Sequence, residues 1–207
     1  MLMSMDREIL QIIGVTLRMS FFSTAISCLI GMPSGVLMTS VQFKGKRTIK
    51  KIINTLMGLP PVVAGLIVYM LFTVEVMVIA QCLLITPVVI SLTSGVCSVN
   101  SKSLLETAKG LSFGKFKTMR LFLSQNRTAL ISVVLTAFGR SIAEVGAVSL
   151  VGGNIQWKTR VMTTAIMLET NKGKFTLALA LGIVLLIISF GVNILASLLV
   201  REEYSND

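Results

Sequence analysis

Histidine is absent from this 207-residue sequence, and aspartate occurs only as Asp6 and Asp207. The first absence removes imidazole bases, the usual nucleophilic triads and most zinc sites. With no paired catalytic carboxylates inside an apolar segment either, covalent chemistry by this chain alone is not expected, and no metal or organic cofactor is implied. The three cysteines, Cys28, Cys82 and Cys97, lie in apolar stretches without CxxC spacing. They read as small buried hydrophobes rather than as a disulfide framework.

Charge is also scarce, at 14% of residues against 54% hydrophobic, with a mean hydropathy of +0.85. That is more apolar surface than one soluble core of this size consumes, and lipid is the obvious place for it. The net charge of +10 does not point to nucleic acid. Its lysines and arginines lie between long apolar runs instead of along one polar-aromatic surface, the pattern of loops on the cytoplasmic side of a membrane.

A bilayer crossing needs roughly 20 apolar residues. Residues 21–41 supply 21 positions without a charge and form the first expected span. Ahead of it, Asp6, Arg7, Glu8 and Arg18 interrupt a weakly amphipathic start that reads as an interfacial helix leading into the span. No small-x-small site follows to mark a cleaved signal peptide. Residues 42–51 carry Lys44, Lys46, Arg47, Lys50 and Lys51, a cytoplasmic signature. The run 52–99 then holds 48 residues and one charge, Glu75. As one straight helix it would extend about 72 Å, more than twice a bilayer core of about 30 Å.

Two crossings, 52–72 and 76–99, satisfy both length and charge, with the turn at Thr73, Val74 and Glu75. The segment 100–128 is basic again, with Lys102, Lys109, Lys115, Lys117, Arg120 and Arg127 against the single acid Glu106. Spans at 130–151 and 175–200 complete an all-α integral membrane protein of five crossings, with the N-terminus outside and the C-terminus cytoplasmic. The octet 161–168 between the last two is too short to cross and suits a partly inserted or interfacial helix on the outer side.

Prolines and glycines fall inside these spans. Gly31, Pro33 and Gly35 are expected to break the first, Pro60 and Pro61 the second and Pro87 the third, either as kinks around a cavity or as ordinary packing kinks. The fourth span holds the most informative pattern, GRSIAEVGAVSLVGGN from Gly139 to Asn154. Arg140 and Glu144 stand one turn apart on what reads as a single helix face. They can neutralise one another and pin the helix to a neighbour or symmetry mate, or Arg140 can line a path for an anion while Glu144 keeps it from trapping. Gly139, Ser141, Ala143, Gly146 and Ala147 permit close backbone approach of another helix. Gly152, Gly153 and Asn154 form a turn that either ends the helix or offers N–H groups to an oxyanion, and Thr163 and Thr164 add hydroxyl donors.

The basic segment 106–131 reads ETAKGLSFGKFKTMRLFLSQNRTALI. A short helix over 103–111, ended by residues 112–114, would present Leu104, Leu105, Ala108 and Leu111 to a partner groove, or rest as an amphipathic linker on the membrane face. It does not bind nucleotide: GLSFGKF lacks both the spacing between glycines and the Ser or Thr after lysine that a phosphate loop requires.

This segment resembles the cytoplasmic loop of ABC importer permeases, which carries Glu-x-Ala followed by Gly and later by an apolar-x-Leu-Pro. Glu106 and Ala108 match, Ser112 stands in place of the Gly, and Ser124 and Gln125 stand in place of Leu-Pro. The resemblance narrows with GRSIAEVGAVSLVGGN, with TRVMTTAIMLET from Thr159 to Thr170, and with LMGLPPVVAGLIVYMLF from Leu56 to Phe72. These look like the tungstate-type oxyanion permeases, relatives of the molybdate and sulfate permeases, over nearly the whole chain.

The resemblance implies one permease domain over 1–207 in a cell inner membrane, working as a homodimer with an ABC ATPase and an extracytoplasmic oxyanion-binding protein. It places the pathway or dimer interface at Arg140, Glu144, Gly146, Asn154, Thr163 and Thr164, and ATPase coupling at Glu106, Ala108, Gly110, Leu111, Ser112 and Gly114. The sequence departs from that pattern after Phe72, where a longer polar connector is usual and a deletion is implied. Molybdate or sulfate is the alternative cargo of such a permease, and an ATP-independent carrier or channel, with Glu144 exchanging protons near Arg140, is the competing expectation.

Overall fold

The computed structural model describes residues 2–71, 77–144 and 146–204. Among them the chain forms ten helices and no strand. In chain order these are α1 (Leu2–Ser40), α2 (Lys46–Met57), α3 (Pro61–Leu71), α4 (Met77–Val99), α5 (Ser101–Gly110), α6 (Lys115–Gln125), α7 (Arg127–Ile142), α8 (Gly146–Gly152), α9 (Met162–Asn171) and α10 (Phe175–Tyr204). Three are long and apolar enough to cross a membrane unaided: Arg7–Ser40 of α1, α4, and Phe175–Val192 of α10. Two bent pairs, α2 with α3 at 99° and α6 with α7 at 79°, bring the number of candidate crossings to five.

Helices α4 and α10 occupy the residues expected for the third and fifth spans, and the helix and stop expected over 103–114 appear as α5 and the turn after it. The first span differs. No separate interfacial helix precedes it, because α1 runs unbroken for 39 residues, about 58 Å, and passes straight through Pro33. Gly31 and Gly35 are contact points instead of kinks. A Cβ on Gly31 would stand 2.7 Å from Val89 Cγ1, and one on Gly35 would stand 2.7 Å from Thr93 Cβ and 2.8 Å from the Ile90 carbonyl oxygen. Two glycines four apart thus let α1 lie directly on α4, the small-xxx-small solution to helix packing in lipid. Pro87 is likewise buried within an unbroken α4.

The second span does break. Pro60 lacks an N–H and Pro61 is set for the first position of a new helix, so α2 ends at Met57 with Gly58 as its cap and α3 starts afresh. The turn expected at Thr73, Val74 and Glu75 lies outside the described residues. The fourth span is not one helix either: α7 stops at Ile142, and α8 starts at Gly146. With 16 residues α7 is about 24 Å long, short of a full crossing on its own.

The basic segments of 42–51 and 100–128 meet at one end of the bundle. Lys46 Nζ donates to the Thr39 and Val41 carbonyls at 3.4 and 3.1 Å, closing the end of α1. Ser40 and Val41 line one cleft together with Leu105, Ala108, Phe113 and Thr118 of the second segment.

The α1–α4 seam yields a direct comparison. Gly35→Val should destabilise the detergent-solubilised protein by about 1–3 kcal/mol through overpacking. Gly95→Val, where an added Cβ meets nothing within 4 Å, should shift the thermal midpoint little. Equal shifts for the two variants would contradict the close approach.

Candidate functional site

The residues singled out in the fourth span surround the gap between α7 and α8. An interrupted helix leaves carbonyls without intrahelical donors at one end and N–H groups without acceptors at the other, and in lipid each must be satisfied by protein. Gln81, fully buried on α4, donates Nε2 to the Ser141 carbonyl at 2.5 Å. Thr163 Oγ1 donates to the Glu144 carbonyl at 3.1 Å, and Glu144 Oε1 accepts the Ala147 N–H at 3.4 Å, which caps the start of α8.

The expected partnership between Arg140 and Glu144 is therefore absent: among the described residues no ion pair joins them, because the helix that would have placed them on one face ends between them. Glu144 is half-buried and engaged at the joint, whereas Arg140 is exposed on the last turn of α7. It lies thirteen residues on from Arg127, about 20 Å along the helix axis. Gly146 is a contact of α8 with α3, its Cβ position 3.1 Å from Val62 Cγ2, and Ala147 lies under Gly65, where a Cβ would be 2.8 Å from Ala147 Cα. Gly139 has open space around it and Ala143 is exposed. Gly146, Ala147 and the buried Ser141 thus pack this chain, and Gly139 and Ala143 leave space near Arg140.

The threonines are spent within the chain. Thr164 Oγ1 accepts the Val161 N–H at 3.1 Å and donates to the Val161 carbonyl at 3.0 Å, so it closes the start of α9. Thr16 of α1 satisfies the neighbouring Met162 N–H at 2.9 Å. In the turn after α8, Gly153 and Asn154 have φ of 63° and 49°. Asn154 Oδ1 accepts from Arg160 Nε at 3.3 Å, and Thr159 Oγ1 donates to the Gly152 carbonyl and accepts the Ile155 N–H. These contacts make the turn a helix terminator whose polar groups are largely committed.

Hydropathy reading missed a polar seam beneath the joint. Thr16, Ser20, Ser23, Thr24 and Ser27 are all buried on α1. Ser23 and Ser141 share a hydrogen bond at 2.9 Å, Thr86 donates to Ser27 at 3.2 Å, and Cys82 Sγ donates to the Ser23 carbonyl. The signal was present in the sequence as hydroxyls recurring at helical spacing, three and four apart, within an uncharged run. Such side chains hold membrane helices together where apolar burial supplies little drive.

At the basic end, α5 packs inward. Ala108 is 4% exposed, and Leu104 and Leu105 pack with Met119 and Leu123 around the buried Val36, Cys97 and Phe122. The expectation that these three residues face a partner groove is corrected: they anchor the segment to its own bundle. Leu111 at 59% and Phe116 at 73% are the exposed apolar side chains, with Glu106, Gly110, Ser112 and Gly114 exposed around them. Ser112 has φ 50°, a left-handed conformation that favours glycine, and its N–H reaches the Lys109 carbonyl while that of Phe113 reaches Ala108.

Comparison with known proteins fits this arrangement. Residues 29–202 match the family model described as the binding-protein-dependent transport system inner membrane component. The chain is 37% identical to the tungstate uptake system permease protein of Campylobacter jejuni, covering 97% of this chain and 90% of that protein. It is 35% identical to the protein of the same name from Peptoclostridium acidaminophilum, over 93% and 90%. The sulfate transport system permease protein of Salmonella typhimurium is 26% identical over 88% of this chain and 75% of its own length. Among solved structures, the fold matches a chain of the inward-facing MetNI methionine ABC transporter with a TM-score of 0.75 at 16% identity, covering 95% of this chain and 98% of that one. The joint between α7 and α8, the inward-packed α5 and the five candidate crossings are thus features of a chain that belongs to the family of inner membrane components of binding-protein-dependent transport systems.

Proposed function

We propose that this chain is the membrane-spanning subunit of an ATP-driven importer for a tetrahedral oxyanion, with tungstate as its cargo. Arg140 is the observation that carries this reading. A guanidinium about 20 Å along a membrane helix, exposed and without an acid beside it, costs about 2.5–3.5 kcal/mol or more in hydrocarbon. It is accommodated where a second copy of the chain or a water-filled path covers it. With Gly139 and Ala143 leaving that face open, two copies related by a two-fold axis bring two guanidiniums to a shared central path suited to a dianion. Since Glu144 is held at the joint and half-buried, proton exchange between it and Arg140 is not part of this mechanism.

The energy-supplying partner docks at Leu111 and Phe116. Exposed large apolar side chains on a basic, solvated segment match the anchors that protein interfaces use, and Glu106 beside them supplies a charge for orientation. The basic segments face the cytoplasm, which places the N-terminus outside and the C-terminus inside. The Gly152–Asn154 turn then faces the oxyanion-binding protein on the outer side, and ATP hydrolysis resides in the separate ATPase. Tungstate is put ahead of sulfate as the cargo because the tungstate permeases share more than a third of their residues with this chain and the sulfate permease about a quarter.

The defining test is reconstitution with the matching ATPase and binding protein. Tungstate uptake should require ATP, and uptake driven by an ion gradient alone would overturn the reading. In that system Glu106→Lys should lower uptake roughly tenfold or more, equivalent to about 1.4 kcal/mol of lost docking, with insertion in the membrane unchanged. A second pair of variants separates path from scaffold. Arg140→Gln should reduce uptake while leaving thermal stability within about 0.5 kcal/mol, as for an exposed residue without a partner. Thr163→Val, which strands the Glu144 carbonyl, should cost about 1–3 kcal/mol in a melting experiment.

A further inference from the structure

The helix α2 is unlike every other helix of the bundle. Its sequence KRTIKKIINTLM sets Ile49, Ile52, Ile53 and Leu56 at the spacing i, i+3, i+4, i+7, with cations on the opposite face. None of its 12 residues is buried. Ile49, Ile52 and Leu56 are 42%, 52% and 36% exposed while Ile53 is half-buried, so most of the apolar stripe is left uncovered by the rest of the chain. The bend of 99° against α3 turns α2 across the direction in which α3 enters the bundle.

Its depth is set at two points. Lys46 is fastened to the end of α1, and Asn54 Oδ1 accepts from Ser91 Oγ of α4 at 3.3 Å. Ser91 stands eight residues before the end of α4, about 12 Å inside that end. An amphipathic helix that leaves its apolar stripe open at this level is placed for the boundary between headgroups and acyl chains.

We propose that α2 lies in the membrane plane and gathers anionic phospholipid headgroups around Arg47, Lys50 and Lys51. Charge selects this occupant over a second copy of the chain. Residues 42–57 hold five cations and no acid, so two α2 helices facing each other would set cation against cation. A leaflet bearing anionic lipid offers the opposite sign, and each lysine or arginine close to it contributes an attraction. The inference goes beyond the transport reading and stands whatever the cargo is; it leaves α3, and not the bent α2–α3 pair as a whole, as the part of the second candidate crossing that enters the bilayer.

The test uses the full chain with Cys28, Cys82 and Cys97 replaced by alanine and Ile52→Cys carrying an environment-sensitive fluorophore, reconstituted in mixed vesicles of phosphatidylglycerol and phosphatidylcholine. Brominating one lipid at a time reports which of them surrounds the label. Brominated phosphatidylglycerol should quench more strongly than brominated phosphatidylcholine at equal bulk fraction. Lys50→Gln with Lys51→Gln should erase most of that preference, on the order of fivefold in local enrichment per cation removed. Both lysines are exposed, so these substitutions leave the packing untouched, and thermal melting of the same samples checks the alanine background. Equal quenching by the two lipids would overturn the proposal. So would quenching by aqueous iodide alone, which marks a solvated face. Efficient disulfide cross-linking between two copies of the unlabelled Ile52→Cys variant would overturn it as well, since that outcome marks a second copy as the occupant.

Discussion

A backbone polar group inside hydrocarbon must find its partner within the protein, and this constraint shapes every irregular point of the bundle. Continuous helices satisfy it by themselves, which is why α1, α4 and α10 can be long. At four departures from a helix, a buried or half-buried side chain stands ready. Gln81 serves the end of α7, Glu144 the start of α8, Thr16 and Thr164 the start of α9, and Lys46 the end of α1. The interruptions are therefore built features, each with its own donor or acceptor supplied from a neighbouring helix or the adjacent turn.

These contacts connect packing to transport. The glycine seam of α1 on α4 fixes the frame against which α7 ends, since Ser141 is held from α1 through Ser23 and from α4 through Gln81. With α7 fixed, Arg140 is held exposed on its last turn, at the end of the helix away from the basic segment. Thr163 ties the joint to α9, so the position of the proposed pathway cation is coupled to the outer turn as well as to the frame. A single broken helix thus connects both faces of the proposed transporter.

Much of the architecture was legible in the sequence because a bilayer imposes simple accounting: apolar length against thickness, and basic loops on one side. The spans at 76–99 and 175–200 and the helix stop at 112–114 follow from length, charge and glycine alone. The fourth span did not, because the apolar stretch from Leu130 to Val151 resumes after Arg140 and Glu144 while the helix stops at Ile142. Hydrophobicity reports burial in lipid and is blind to a break whose polar groups are satisfied by Gln81 and Thr163, residues distant in sequence. The relation assumed between Arg140 and Glu144 failed for the same reason, since it took four residues to mean one turn. Likewise Leu104, Leu105 and Ala108 form an apolar face that sequence cannot assign to a partner or to the chain's own core; Val36, Cys97 and Phe122 supply the answer.

That inward packing of α5 bears on how force would pass through the molecule. A docking element joined to its bundle by a slack linker would absorb a partner's displacement in its own compliance. Here the exposed Leu111 and Phe116 ride on a segment packed against Val36 of α1 and Cys97 of α4, so in the proposed transporter a displacement imposed there has a direct path toward the glycine seam. In that reading the segment would serve as the handle of a crank whose throw is the broken helix.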